Sequence, residues 1–278
     1  MLTSKDSLKI KEIAREGRKL VIEMIMEAGS GHPGPSLSVI DIIATLYSKY
    51  LRVDPQNATL ITRDRFILSK GHAAPALYAI LILNNFVERD AIKNFRKVGG
   101  NLQGHPSIKT RGVDCSSGSL GLGLSAACGM ALAAKFKNFD SNIYCLIGDG
   151  ESDEGQIWEA ALFATQYKLD NLYVFVDRNM YQYEGKTEEI LKLEPLTDKW
   201  EAFGWDVWNT DGNEIDDLIA TIDDAQKKEG KPKLIIAHTL KGKGVSFMEG
   251  NQKFHAKAPT PEEAKAAILE LSGKENYG

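Results

Sequence analysis

Apolar residues recur at helical spacing from Ser7 to Ala28, among them Leu8, Ile13, Leu20, Met24 and Ile25, until Gly29 and Gly31 close the run. A second helix is expected over 36–51, a short strand over 65–69, a helix over 72–84, and a helix rich in small residues over 121–137. Downstream, strands expected at 143–147, 172–177, 205–209 and 234–237 alternate with helical segments at 155–168 and 214–228. A run such as Ile143 to Ile147 has no polar face, which suits a strand covered on both sides. Strands delivered alternately with helices predict an α/β fold with a mostly parallel sheet, right-handed crossovers and helices on both faces. Residues 239–259 interrupt the alternation as a loop rich in Gly and Lys, and a last helix is expected over 261–271, capped by Thr260 with Pro261 in its first position. Long loops inside compact domains usually carry function or are disordered. This one holds His255.

Composition narrows the classes of function more than it names one. The 278 residues contain no internal repeat or Pro/Ser-rich linker, so a single domain over 1–278 is expected, with the loop and helix from about 239 as its C-terminal part. With 34 basic and 38 acidic residues and no long run of either sign, nucleic-acid binding has no electrostatic footprint. Three scattered cysteines fit neither a disulfide framework nor zinc-ligand spacing. No stretch of 18 apolar residues exists, and Lys5, Asp6, Lys9, Lys11 and Glu12 rule out a secretory h-region at the start. A cytoplasmic protein with no membrane contact is expected.

The chemistry concentrates where the strands end. Asp149, in Gly148-Asp149-Gly150, follows the run 143–147, and Asn179 follows the run 172–177. Open α/β sheets bind ligands at the carboxyl ends of their strands. Paired carboxylate and amide oxygens suit Mg2+, which completes its octahedron with phosphate oxygens and water, so a diphosphate and metal site is expected here. Four of the five histidines, His32, His72, His105 and His255, sit in loops between elements, where imidazole can bind hydroxyls, move protons or balance phosphate charge near neutral pH. His238 ends the last apolar run and reads as structural. The turn Ser117 to Gly123 does not follow a strand, and no acidic ribose-binding partner is evident, so it reads as a cofactor-lining turn rather than a dinucleotide fingerprint. Glu151, Asp153 and Glu154 surround a helix start, where acidic groups complement its dipole. Glu154 is also a candidate for an interface.

The order strand, Asp149, helix, strand, Asn179 resembles the cofactor motif of thiamine diphosphate enzymes. Ser30-Gly31-His32-Pro33-Gly34, Arg63 through Ala73, Gly104-His105-Pro106 and Gly148 through Gly155 occur in an order similar to that of the N-terminal half of transketolase. That resemblance covers nearly the whole chain. It implies thiamine diphosphate with Mg2+ (or Ca2+), the ion held by Asp149, Asn179 and the Tyr181 carbonyl. It further implies His72, Gly150 and His255 at the diphosphate, Gly118 and Leu120 along the rings, Glu154 near the cofactor, and His32, His105 and His255 facing a sugar. The reaction so implied moves a two-carbon ketol unit from a ketose to an aldose, either of them a sugar or a sugar phosphate.

Transketolases that work alone are more than twice as long, with a pyrimidine-binding domain and a C-terminal domain to follow. A split enzyme is therefore expected, completed by a separate C-terminal subunit carrying the pyrimidine domain and the family's phosphate-binding arginines, in an α2β2 assembly. Tyr183, where an aliphatic residue is common, and Ser107, where an acidic one is common, depart from the family on the ligand side. Other cofactor subunits remain open at this point, of the deoxyxylulose-phosphate synthase or 2-oxo acid dehydrogenase α type, as does a non-catalytic assembly paralogue.

Overall fold

Alternation within the strands decides how the chain layers. In the computed structural model, which describes residues 4–273, five strands form one sheet: β1 (Arg65–Leu68), β2 (Ile143–Gly148), β3 (Leu172–Arg178), β4 (Asp206–Asp211) and β5 (Lys233–His238). All pairs are parallel, in the order β1-β2-β3-β5-β4. The ends of the expected domain, residues 1–3 and 274–278, lie outside the described residues. Successive strand side chains point to opposite faces. Tyr144, Leu146, Phe175 and Ile235 thus enter one buried cluster, while Cys145, Ile147, Val174 and Leu234 enter another.

The first cluster is covered by α1 (Ser4–Ala28), α2 (Pro33–Thr45), α3 (Ala74–Leu83), α8 (Ile215–Ala225) and α9 (Pro261–Leu271). The second is covered by α4 (Leu122–Phe136), α5 (Gly155–Gln166) and α7 (Leu196–Ala202), with α6 (Thr187–Ile190) as a single turn ahead of α7. Within it Trp200 and Trp205 are buried, edge to face, with ring centroids 4.9 Å apart. Removing such a ring typically costs about 3–5 kcal/mol.

The expected strands and helices are all present, with shifted ends. The helix expected from residue 36 starts at Pro33, because proline is preorganised for the first helical turn and gives up only an N–H that would lack a partner there. It ends in a widened π turn over Leu46–Tyr50. The helix expected from His72 opens with a tight 3-10 turn, Gly71–Ala73, before α3 begins. The short helices α6 and α7 were not expected: four and seven residues around Pro195 carry too little periodicity to stand out. Thr260 caps α9 with the reciprocal bonds of a capping box to Glu263.

Close packing brings α4 to the sheet. A Cβ on Gly123 would stand 2.4 Å from Ser69 Oγ and 2.7 Å from Ser69 Cα, so only glycine fits there. The consequence is functional. The turn before α4 is pressed against the carboxyl end of β1, beside the tips of β2 and β3.

Candidate active site

The register of β2 against β3 pairs Gly148 with Asp177, which leaves Asp149 and Asn179 just past two adjacent strand ends. Asp149 is buried, 1% exposed. Its Oδ1 accepts from the Gly150 N–H at 2.8 Å, and its Oδ2 accepts from the Met180 N–H at 2.7 Å and from Arg178 Nη1 at 3.3 Å. Burial, then the charge of Asp177, push the Asp149 carboxyl up to about 6 against the pull of Arg178. Asp149 is therefore a carboxylate short of positive charge. Asn179 donates from Nδ2 to Asp177 Oδ2 at 2.6 Å, which turns its Oδ1 the other way, where it accepts from the Tyr181 N–H at 3.1 Å.

Asp177 is the hub beneath. It accepts from Ser38 Oγ at 2.8 Å and is also bonded by Lys70 and Thr239. The buried Arg178 reaches sideways to Thr187 at 2.7 Å, Glu188 at 2.7 Å and Glu194 at 2.9 Å, tying the segment after β3 to the strand tip. Sequence reasoning did not single out Asp177, Arg178 or Lys70. The available signal was their charge: formal charges at the ends of fully apolar runs are expensive unless paired.

Three histidines from distant loops meet. The His32 ring lies 5.3 Å from His72 and 5.9 Å from His255, and His72 stacks on His255 at 5.5 Å. Burial holds all three imidazoles down, with nearby cations adding to it: His32 to about 4, His255 to about 3, and His72 well below its usual value. They are neutral at neutral pH, each able to donate at one ring nitrogen and accept at the other. Lys241 Nζ lies 2.8 Å from His255 Nδ1, which makes that nitrogen the acceptor and leaves Nε2–H as donor. Lys241 is itself fully buried, and burial followed by the charge of Lys70 brings it down to about 8. His32 Nδ1 is buried with no partner among the described residues.

A cavity of about 460 Å³ opens over these groups. Asp149, Gly150, Glu154, Asn179 and Tyr181 line it, and so do His32, His72, His255, Gly118 and Leu120. Of the residues expected at the metal, cofactor or sugar, His105 alone lies outside the lining. Its ring sits beside Gly118, 3.7 Å from where a Cβ on that glycine would be. Tyr183 also lines the cavity, 67% exposed, with its ring edge-on to His255 at 5.3 Å. Ser107 is not in the lining; its carbonyl and hydroxyl close the turn that follows Pro106. His238 is exposed at the end of β5, bonded to Asn209 at 2.9 Å.

Glu151 corrects its expected role. Instead of complementing a helix dipole from the surface, it is buried, accepting from Ser69 Oγ at 2.5 Å, the Gly121 N–H at 2.9 Å and the Gly148 N–H at 3.0 Å. It clamps the ends of β1 and β2 to the start of α4. Among the described residues, no three of His, Cys, Asp and Glu gather in a way that could hold a metal ion.

The arrangement has relatives. Residues 9–275 match the family described as the transketolase, thiamine diphosphate binding domain. The chain belongs to that family. It is 45% identical over 269 residues to the 6-deoxy-6-sulfo-D-fructose transketolase subunit SqwG of Clostridium sp., covering 96% of this chain and 98% of that protein. It is 43% identical to one of the subunits of the apulose-4-phosphate transketolase of Phocaeicola vulgatus, covering 95% and 96% respectively. Among solved structures, the transketolase of Campylobacter jejuni superposes with a TM-score of 0.91 at 34% identity, over 100% of this chain and 44% of that one. The chain thus runs nearly the full length of the two subunits and spans less than half of the complete transketolase chain. It carries the thiamine diphosphate-binding half of a transketolase, an enzyme of the transferase class.

Proposed function

We propose that this chain is the N-terminal subunit of a split transketolase, a single diphosphate-binding domain over 1–278 with its C-terminal loop and helix from about 239. It works with a second subunit that supplies the pyrimidine-binding domain, in an α2β2 assembly in the cytoplasm. The observation that carries the reading is the shared cavity: one carboxylate short of positive charge, one oriented amide and three neutral imidazoles converge on two strand tips.

These groups fit the cofactor. Asp149, Asn179 Oδ1 and the Tyr181 carbonyl are hard oxygen donors suited to Mg2+ or Ca2+, and a divalent ion there relieves the burial penalty on Asp149. His72, Gly150 and His255 would meet the diphosphate, Gly118 and Leu120 the rings, and Glu154 the cofactor edge toward the partner. When bound, thiamine diphosphate supplies the electron sink for breaking and making a carbon–carbon bond. The chain's own part is to bind and orient. His255 would donate to sugar oxygens through Nε2–H, its other nitrogen being held by Lys241, and His32 would donate to a sugar oxygen or accept from a sugar hydroxyl. His105, beside Gly118, would reach the same sugar from outside the lining.

The substrates would be a ketose donor and an aldose acceptor. Two relatives act on sugars carrying a sulfonate or a phosphate by name, so we extend the proposal to substrates with an oxyanion at the far end. The test is ketol transfer between a ketose and an aldose by the chain assembled with its partner subunit, thiamine diphosphate and Mg2+. Transfer by the complex and none by the isolated chain is expected. Equal transfer by the isolated chain, or turnover of pyruvate instead of a ketose, would overturn the proposal.

A further inference from the structure

Nine arginines occur in the chain, and eight of them donate their guanidinium to a carboxylate or a backbone carbonyl. Arg96 is the ninth. Among the described residues no ion pair or side-chain hydrogen bond engages it, and it is exposed. The position is nevertheless built. Arg96 sits at φ 59, a left-handed backbone that costs energy in a residue with a side chain, and its N–H donates to the Leu102 carbonyl at 2.8 Å.

That turn lays the side chain over Gly104. A Cβ on Gly104 would stand 3.1 Å from Arg96 Nε and 3.3 Å from Cζ, so the missing side chain makes the room the guanidinium occupies. The next residue, His105, lies beside Gly118, which lines the cavity. The charge is also felt inside. After burial, Arg96 is the largest influence holding down both His32 and His105.

A permanently charged, planar fork with no internal partner suits an oxyanion, which it can bind through two parallel N–H donors. We infer that Arg96 is a substrate-recognition residue contributed by this chain, binding the terminal phosphate or sulfonate of the sugar beyond His105. The inference rests on the function proposed above. It adds a reading of the substrate's distal end by the cofactor subunit itself.

The test uses the assembled complex with three acceptors of equal chain length: an aldose phosphate, an aldose bearing a sulfonate, and the uncharged aldose. With Arg96→Gln, KM for one or both charged acceptors is expected to rise about tenfold or more, while kcat, KM for the uncharged aldose, and the affinity for thiamine diphosphate hold. Whichever charged acceptor responds identifies the anion. Arg96→Lys keeps a point charge without the fork and should fall between the wild type and the Gln variant. Unchanged KM values for both anions would overturn the inference, as would equal rises for charged and neutral acceptors. A wild-type complex that transfers no ketol unit to any acceptor would instead remove the proposed function, and this inference with it.

Discussion

Asp149 and Asp177 stand on neighbouring strand tips, and the contrast between them explains much of the site's chemistry. Asp177 is saturated by Ser38, Lys70, Asn179 and Thr239, so it acts as an anchor. Asp149 receives two backbone N–H groups and one distant guanidinium nitrogen, and is left to be completed by something else. Around them the histidines provide a pH signature. The unfolded chain's imidazoles take up protons near pH 6.5, whereas the folded ones resist until about 4 at His32 and about 3 at His255. Their contribution to stability is thus full above pH 6.5 and is lost as pH falls toward those lower values. Asp149 runs the opposite way, since its folded value of about 6 exceeds its unfolded one, and acid relieves it between about 6 and 4. The cofactor-free chain is expected to lose stability on acidification from pH 6.5 to 4, and His255→Asn to lose less over the same interval. Urea midpoints measured across that range check it; parallel curves for the two proteins would count against buried neutral imidazoles.

At the scale of elements, the site depends on how near α4 comes to β1. Glu151 bonds to Ser69, Gly121 and Gly148, and Gly123 lets the helix settle onto Ser69. Gly123→Ala would force a methyl against both the side chain and the backbone of Ser69, and the helix would have to lift. A loss of about 1–3 kcal/mol in unfolding free energy is expected, with weaker cofactor binding because Gly118 and Leu120 shift with the turn. Chemical denaturation alongside calorimetric titration separates the two effects. The strands, the parallel sheet and Asp149 with Asn179 were legible in the sequence, because fully apolar runs and glycine turns depend on local residue types. The clamp by Glu151 and the Asp177–Lys70 pair were not, because each joins residues far apart in the chain and neither leaves a periodic mark. The same is true of Arg96, which stands apart because, among the described residues, it lacks the side-chain partner that the other eight arginines have.

At the scale of the whole molecule, the proposed split makes the chain one half of a binding site. The groups suited to metal and diphosphate all come from its own strand tips and loops. A ligand that binds only the native state raises stability by about RT ln(1 + [L]/Kd), so thermal shifts report which part of the cofactor each assembly can hold. With Mg2+ present, inorganic pyrophosphate is expected to stabilise the isolated chain by itself, because the groups suited to metal and diphosphate are this chain's own, and thiamine diphosphate is expected to add only the margin that its rings gain against Gly118 and Leu120. Once the partner subunit is added, thiamine diphosphate should pull further ahead, by up to about 2.7 kcal/mol if its affinity rises a hundredfold at saturating concentration. Differential scanning calorimetry with the two ligands, with and without the partner, reads this directly. A preference for thiamine diphosphate over pyrophosphate that is already complete in the isolated chain would mean that the ring-binding surface is fully built here, and that the partner has another role.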